Sequence, residues 1–349
     1  MSRKLFIGIV SGLLIGLLYI TLKKYTESYK FFLFPFNIKK DTKKHFLPAR
    51  TSIRPFILPL KKYDYEKELP RLIKYKNRLL VPVGDQGECG GCWAFSIADT
   101  LADRTMVFSA GQFRKRLSAQ AILSCIEFPD GCEGGFLDRS CEWLAENEYP
   151  VPLESKLPYQ QEYGGLIKTS CLNKENLLGI LIKKGTVKSV TTYIPETEYD
   201  PEILKENIKN MKTELARSGP IFCAMTVYMD IYDYDGNYVY THSPSAAFVG
   251  GHAIEIVGYC EKGEDPRENF KDTGYWICRN SWGPEFPKKK SIYGKGYFTI
   301  RMGRNECGVE SRCGIMDPDI ENKSTEKDLR KLRYESWSQF EKEMNLQSV

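Results

Sequence analysis

Residues 85–95 read DQGECGGCWAF, and the organisation of the whole chain can be read outward from this run. Its glycines permit a tight turn, and an apolar, helix-compatible run begins at Cys92 and is predicted to end near Val107. A thiol at a helix N-terminus lies against free backbone N–H groups and the positive end of the helix dipole, which favour the thiolate. Because a thiolate is the nucleophile of cysteine catalysis, Cys92 is a candidate nucleophile.

The hydrophobic pattern of the rest of the chain predicts helices in the first half and strands in the second half. An amphipathic helix is expected over residues 202–217, and it ends before Gly219-Pro220. Strand-like runs follow at residues 221–228, 253–259, 274–278 and 296–300. A helical first half followed by a strand-rich second half implies two lobes with a cleft between them.

Composition narrows the class of protein. The chain has 349 residues, 42% of them hydrophobic and 27% charged, which is typical of a globular protein. The net charge is +5, but Lys and Arg are scattered without an aromatic-basic platform, so we expect no nucleic-acid partner. The 11 cysteines suit an oxidising compartment, and their odd number is expected if one thiol stays free for chemistry and others pair. The alternative is that many of them are reduced and buried.

Three segments together resemble the papain-like cysteine proteases. Residues 89–93 match the C-G-[SA]-C-[WY] signature except at Gly91. Residues 252–254 are similar to the family's H-A-[IV] segment, and residues 280–283 are similar to its N-S-W-G segment. His252 and Asn280 lie 160 and 188 residues beyond Cys92, more than the ~130–150 of papain, and we attribute the excess to insertions in second-lobe loops.

The resemblance implies an α+β, papain-like fold with a helical lobe, an antiparallel β-barrel-like lobe and the active-site cleft between them. It also implies cysteine-type endopeptidase activity on peptide or protein substrates, without a metal or organic cofactor. Cys92 would be the nucleophile, paired as a thiolate with the His252 imidazolium. Asn280 would orient His252, Trp282 would shield that hydrogen bond, and Gln86 would help to form the oxyanion hole.

The resemblance extends to the cysteines and glycines of the first lobe. It implies the disulfides Cys89–Cys132 and Cys125–Cys171, and it assigns Gly134 and Gly135 to substrate-backbone pairing. Six further cysteines have no assignment. They are Cys141, Cys223, Cys260, Cys278, Cys307 and Cys313, of which Cys260 and Cys278 could pair with each other or both be buried thiols.

Within the family the chain resembles the cathepsin B-like branch, through residues 250–254 and 306–311. No histidine occurs between Tyr159 and Tyr193, where the His-rich occluding loop of that branch is expected, so exopeptidase activity by that route is not predicted. Arg312 takes the place of the acidic residue at the bottom of the S2 pocket. It would favour an acidic or aromatic P2 side chain, unless it simply faces solvent.

The N-terminus carries a candidate membrane segment. Leu5–Leu22 is an uncharged run of 18 residues, which predicts a single-pass anchor over residues 1–24, with a cleaved signal peptide as the alternative. The flanking lysines favour a cytosolic C-terminal domain, whereas the cysteines favour a lumenal or extracellular one. We expect a stalk or short propeptide over 25–68, a peptidase domain over 69–319 and a charged tail over 320–349, in which Asn322 begins a glycosylation sequon.

Two other functions remain open from the sequence. A catalytically silent, membrane-anchored binding module could keep the papain-like shell. Alternatively, Cys89 and Cys92 form a C-x-x-C pair that could hold zinc together with Cys125 and Cys132, although their spacing fits poorly. We expect the protein to be monomeric.

Overall fold

The computed structural model describes residues 81–109, 113, 115–126, 131–162, 165–166, 171–174, 177–195, 198–289, 291 and 293–321, all within the compact unit Asp41–Val349. No helix in these ranges is long and apolar enough to span a bilayer. The predicted anchor, the stalk or propeptide, and the tail beyond Glu321 with its sequon lie outside the described residues. They therefore stay predictions.

The first lobe is built on three helices: α1 (Cys92–Phe108), α2 (Ala119–Cys125) and α3 (Leu137–Glu146). Helix α1 begins at the predicted residue and ends one residue later than predicted, and it is buried from Trp93 to Met106. The Ser118 side chain caps α2 by accepting the Ala121 N–H at 3.0 Å. The sequence did not predict α3, whose short amphipathic face buries Leu137, Cys141 and Leu144.

Two short two-stranded sheets and two disulfides complete the described part of this lobe. Strand β1 (Val151–Pro152) pairs with β4 (Gly179–Ile180), and β2 (Gln161–Glu162) pairs with β3 (Gly165–Leu166). The bonded cysteines are Cys89–Cys132 and Cys125–Cys171, the two pairs that the resemblance implies. The first bond ties the 3₁₀ helix Gly131–Glu133 to the loop that leads into α1.

The second lobe is a six-stranded antiparallel sheet with one long helix, α4 (Pro201–Ser218), against it. Its strands are β5 (Lys188–Ser189), β6 (Ile221–Tyr228), β7 (Phe248–Cys260), β8 (Tyr275–Arg279), β9 (Tyr297–Arg301) and β10 (Cys313–Ile315), in the order β5-β10-β6-β7-β8-β9. A helical lobe joined to an antiparallel sheet is the predicted α+β papain-like fold.

Helix α4 matches its sequence pattern closely. Asp200 caps it by accepting the N–H groups of Glu202 and Ile203, and Pro201 occupies the first turn. The chain leaves the helix through Gly219, whose φ of +100° is unfavourable for other residues. Met211 and Leu215 of α4 join the buried core of the sheet, as predicted.

None of the six unassigned cysteines forms a disulfide, and all six are buried. The β7–β8 register places Cys260 opposite Tyr275 and Cys278 opposite Ile256, so the two thiols do not pair across the loop. Of the two arrangements left open by the sequence, the structure therefore has two buried thiols.

A buried charge cluster connects the two lobes. The Arg279 guanidinium of β8 lies 2.8 Å from the Asp103 carboxylate of α1, contacts Glu255 of β7, and is 3.7 Å from Asp99 of α1. All four side chains are at most 5% exposed. Burial raises the pKa of Asp103 to about 6 and that of Glu255 well above its usual range, against the opposing effect of Arg279.

We predict that Arg279→Met lowers the free energy of unfolding at pH 7 by about 3–5 kcal/mol, because it leaves buried carboxylates without their cation. Acids whose pKa is raised by folding stabilise the protein at low pH and destabilise it as pH rises. The loss should therefore shrink between pH 7 and pH 5. Urea unfolding at both pH values measures it. Lys288→Met, which removes an exposed partner of Asp233, is the control and should cost less than about 1 kcal/mol; equal losses would contradict the prediction.

Candidate active site

Helix α1 and strand β7 bring Cys92 and His252 to the same place. The Ser96 hydroxyl of α1 donates a 2.7 Å hydrogen bond to the Ile254 carbonyl of β7. The Cys92 sulfur, at the first position of α1, accepts a hydrogen bond from the backbone N–H of Ala253, the residue directly after His252. The predicted nucleophile and histidine, 160 residues apart in sequence, are thus held at one junction between the lobes.

Asn280 fixes the His252 ring. Its side-chain Oδ1 lies 2.7 Å from His252 Nε2 and also accepts the Ser281 N–H at 2.8 Å. Because Oδ1 is an acceptor in both contacts, Nε2 carries the ring proton, and Nδ1 is left free to accept one. The Trp282 indole lies against the imidazole with ring centroids 4.6 Å apart, and its role in shielding the hydrogen bond stays a prediction.

Gln86 is fixed in orientation beside the same loop. Its side-chain Oε1 accepts the Ser281 hydroxyl proton at 2.6 Å, and its Nε2 donates to the Cys89 carbonyl at 2.9 Å. The two contacts assign the amide, and one Nε2 proton remains for another acceptor. A backbone bridge between Asp85 and Trp282 holds the Gln86 segment against the Asn280 segment.

Gly134 and Gly135 lie in the turn beside α1. A Cβ on Gly135 would fall 2.3 Å from the Trp93 ring, so this backbone can approach the helix only as glycine. Gly134 has a φ of +112°, which also favours glycine. Their assignment to substrate pairing stays a prediction.

Arg312 is half-buried, and so it does not simply face solvent. Its Nη1 donates to the Thr226 hydroxyl at 3.0 Å, and its guanidinium lies 5.7 Å from the centre of the Tyr193 ring. Thr226 pairs with Gly251, the residue before His252. Arg312 thus reaches the sheet next to the histidine.

An open depression of about 510 Å³ adjoins Gln86 and Trp282. One wall is the loop 85–90, and the other contains Tyr232 and Phe286. The indole of Trp282 stacks on Tyr232 and meets Phe286 edge-on, which makes the second wall largely aromatic. The depression is therefore bounded by a polar loop on one side and by aromatic rings on the other.

Burial acts against charge on both reactive side chains. It raises the pKa of Cys92 to about 11, although N–H groups including that of Ala253 partly offset the effect. Burial lowers the pKa of His252 to about 4, against the opposing effect of the hydrogen bond to Asn280. These two pKa shifts favour a neutral Cys92 thiol and a neutral His252 imidazole, and they oppose the ion pair that the resemblance implies. Cys92 retains some solvent exposure, which moderates its desolvation.

The zinc alternative through Cys89 and Cys92 is wrong, because the Cys89 sulfur is bonded to Cys132. The other suggested ligand, Cys125, is bonded to Cys171. A disulfide sulfur is not the thiolate that zinc binds.

Several residues that shape the site were missed from the sequence. They are Ser96, Ser281, Tyr159 and the charge cluster around Arg279. Only the cluster had a sequence signal: Asp99 and Asp103 stand one helical turn apart in a run otherwise suited to burial. The hydroxyl contacts depend on the tertiary fold alone.

The family comparison agrees with this geometry. Residues 69–316 match the family described as "Papain family cysteine protease", and the chain belongs to that family. Cathepsin B-like cysteine proteinase 5 of Caenorhabditis elegans is 29% identical over 74% of each chain. Cathepsin B-like CP3 of Giardia intestinalis is 32% identical over 72% of each. The relatives thus include cathepsin B-like proteins, in agreement with the branch that the sequence resembles.

A solved structure supports the fold. The chain is similar to procathepsin B S9 of Trypanosoma congolense, with a TM-score of 0.55 and 23% identity over 74% of this chain and 77% of the other. The mixed helical and antiparallel architecture is therefore that of papain-like, cathepsin B-like proteins.

We predict that Trp282→Ala raises the pKa of His252 from about 4 toward the ~6.5 of a solvated histidine, since burial is the main cause of its depression. Removal of the indole readmits water to the ring. The NMR titration of the histidine ring protons measures the shift. His242 stacks on Tyr228 instead and is the internal control. An unchanged His252 titration would show that the indole does not cause the desolvation.

Proposed function

We propose that the protein is a cysteine-type endopeptidase, with Cys92 as nucleophile, His252 as general acid and base, and Asn280 as the residue that orients His252. The main support is that Ala253 ties the Cys92 sulfur to the strand position next to His252, while Asn280 fixes the ring with Nδ1 free. This is the nucleophile, base and orienting group of acyl-transfer catalysis.

The proposed steps conserve protons and electron pairs. Proton transfer from the Cys92 sulfur to His252 Nδ1 gives the thiolate, which adds to the scissile carbonyl carbon. His252 then returns the proton to the leaving amine as the C–N bond breaks, leaving an acyl-enzyme. A water molecule, deprotonated by His252, releases the acid and restores the thiol.

Burial opposes each charge separately, so we propose that the two charges arise together. A thiolate and an imidazolium about 4 Å apart attract each other by about 4 kcal/mol at an effective dielectric constant of 20. The N-terminus of α1, which has no acidic residue in its first turn, adds to the stabilisation of the thiolate. These two effects offset the desolvation of the pair.

The oxyanion of the tetrahedral intermediate would be stabilised by Gln86 Nε2 and the Cys92 backbone N–H. Gln86 is held by the Ser281 hydroxyl before substrate arrives, so its remaining proton needs little reorganisation. Such preorganised donors are worth about 3–4 kcal/mol each in other hydrolases.

The second candidate is a catalytically silent binding module with the same fold. The raised pKa of Cys92 and lowered pKa of His252 favour it, because a neutral pair is less reactive. The intact set of Gln86, Cys92, His252 and Asn280 argues for the enzyme. Reaction with a thiol-directed epoxide distinguishes the two.

We predict that Cys92→Ala lowers the hydrolysis of an unstructured peptide by about 10⁴-fold or more, because the nucleophile is lost. Circular dichroism should be unchanged, since the substitution removes one sulfur atom from a half-buried side chain. Cys141→Ala, which removes a buried free thiol of α3, is the matched control and should keep its activity. Turnover by the Cys92→Ala variant comparable to that of the wild type would refute the assignment. If the wild-type chain neither cleaves peptides nor reacts with the epoxide, the protein is the silent binding module.

We propose that Arg312 sets the P2 preference toward acidic side chains. Its guanidinium is half-buried beside the strand that carries His252, and Thr226 and Tyr193 hold it. A basic P2 side chain would meet a like charge there. An aromatic P2 side chain could stack on the guanidinium plane.

We predict that Arg312→Glu reverses the preference between Glu and Lys at P2, by about ten-fold or more in kcat/KM, or about 1.4 kcal/mol. Matched fluorogenic peptides that differ only at P2 measure it. Arg301→Glu makes the same charge change on the edge strand β9 and should leave the ratio unchanged. If both variants shift the ratio equally, the effect comes from net charge and not from a pocket.

We also propose that the peptidase domain is monomeric, is anchored by Leu5–Leu22 and acts on the lumenal or extracellular side. The support for that side is the pair of disulfides Cys89–Cys132 and Cys125–Cys171, which persist in oxidising compartments. A membrane-impermeant form of the epoxide should label Cys92 in intact cells if the domain is extracellular, and only after internal membranes are also permeabilised if it is lumenal. Labelling as soon as the plasma membrane alone is permeabilised would place the domain in the cytosol and contradict the proposal.

A further inference from the structure

A second group of metal-ligating side chains lies outside the catalytic site. His242 comes from the segment between β6 and β7, and Glu306 and Cys307 begin the 3₁₀ helix Glu306–Ser311. One ligand atom from each of the three residues lies within 4.8 Å of the others. They come from segments more than 60 residues apart in sequence, so the fold and not local spacing assembles them.

Glu306 already organises the cluster. Its Oε1 accepts the His242 backbone N–H at 3.1 Å, lies 2.5 Å from the ring Nδ1, and is 3.9 Å from the Cys307 sulfur. Tyr228 stacks on the His242 ring at 4.3 Å and sets its plane. Supporting contacts of this kind orient ligands in metal sites.

The backbone is unusual at the same place. Asn305 and Cys307 have φ values of +49° and +51°, a region that non-glycine residues rarely occupy. Glu310 holds this turn by accepting the Asn305 N–H at 2.6 Å, and the Asn305 side chain accepts the Glu310 N–H at 3.1 Å. Such strain is concentrated at functional sites, because the surroundings must maintain it.

The cluster is reached through a cavity of about 180 Å³, lined by Glu198, Asp200 and Arg304 among others. With Glu306, the three carboxylates outnumber the one guanidinium, so the cavity favours a cation. Imidazole nitrogen, thiolate sulfur and carboxylate oxygen together are a zinc donor set, whereas calcium and magnesium prefer oxygen alone.

From this geometry we propose that His242, Glu306 and Cys307 form a Zn²⁺ site, with its fourth position open to the cavity. Binding displaces the proton between His242 and Glu306 and the thiol proton of Cys307. The ligand atoms must shift by about an ångström to reach zinc distances of ~2.0–2.3 Å, and the half-buried His242 ring has room to do so.

The proposed zinc site is connected to Arg312 by a single short 3₁₀ helix. The 3₁₀ helix that begins at Glu306 ends at Ser311, directly before Arg312. A Cβ on Gly308 would fall 3.0 Å from the Arg312 guanidinium, so the turn and the arginine pack closely. Zinc would therefore hold the turn that supports Arg312.

The test uses the full-length chain with Cys92→Ala, so that the catalytic thiol cannot bind metal. Isothermal titration calorimetry with Zn²⁺ should give one site per chain. Adding His242→Gln or Cys307→Ser should weaken zinc binding by about ten-fold or more. Adding Cys141→Ser, which removes a different buried thiol, should not. Co²⁺ should give a thiolate charge-transfer band that disappears with Cys307→Ser.

Absence of zinc binding by the Cys92→Ala chain would overturn the proposal. Zinc binding that is unchanged by His242→Gln would also overturn it. The His242→Gln variant tests the site even if Cys307→Ser fails to fold, because His242 is half-buried and its substitution disturbs the core less. Zinc binding does not depend on proteolysis, so its failure would leave the proposed protease activity untouched.

Discussion

The geometry of the site depends on one buried guanidinium. Arg279 of β8 meets Asp99 and Asp103 of α1 and Glu255 of β7. Cys92 lies on α1, His252 lies on β7 and Asn280 directly follows β8, so the cluster connects the three segments that the proposed mechanism needs. Burial raises the pKa values of Asp103 and Glu255, and the single guanidinium only partly opposes this effect on the carboxylates around it. The free-energy cost of burying these charges is offset by the packing of α1, which is buried along almost its whole length.

The same burial that assembles the site works against its charges. A buried thiol and a buried imidazole each prefer to be neutral, as the pKa shifts of Cys92 and His252 show. A papain-like reaction needs both to be charged. The conflict is resolved only if the proton moves between them within the pair, so that neither charge exists alone in a dry environment. Asn280, which fixes the ring so that Nδ1 is free, is then as necessary to the proposed chemistry as the nucleophile.

Local signals in the sequence predicted the long elements well. Helix α1 starts at Cys92 because of the glycine turn before it, and α4 is bounded by Asp200 and Gly219, which cap it in the expected way. Strand β6 matches the predicted run at both ends, whereas β7 begins five residues earlier than predicted, at Phe248. The glycines near the start of β7 concealed its strand character, and pairing with β6 overrides their low propensity.

What the sequence could not provide is contact between distant segments. The order Gln86, Cys92, His252, Asn280 was informative only through the family resemblance, since no local rule joins a histidine to a thiol 160 residues away. The contacts of Ser281 and Ser96 have no pattern of their own, because a single polar residue predicts burial or exposure equally well. Helix α3 is short, and its Leu137, Cys141 and Leu144 cover too few turns for the period to stand out.

Strands β6 and β7 connect the catalytic site to the His242 cluster. Met225 of β6 lies opposite His252, and three residues further along the same strand Tyr228 stacks on His242. The register shifts between Val227 and Tyr228, so the strand twists just where the chain leaves the catalytic region. Strand β7 thus carries the histidine of the catalytic site. Its partner β6 ends at the tyrosine that packs on His242, and His242 itself lies in the segment that joins the two strands.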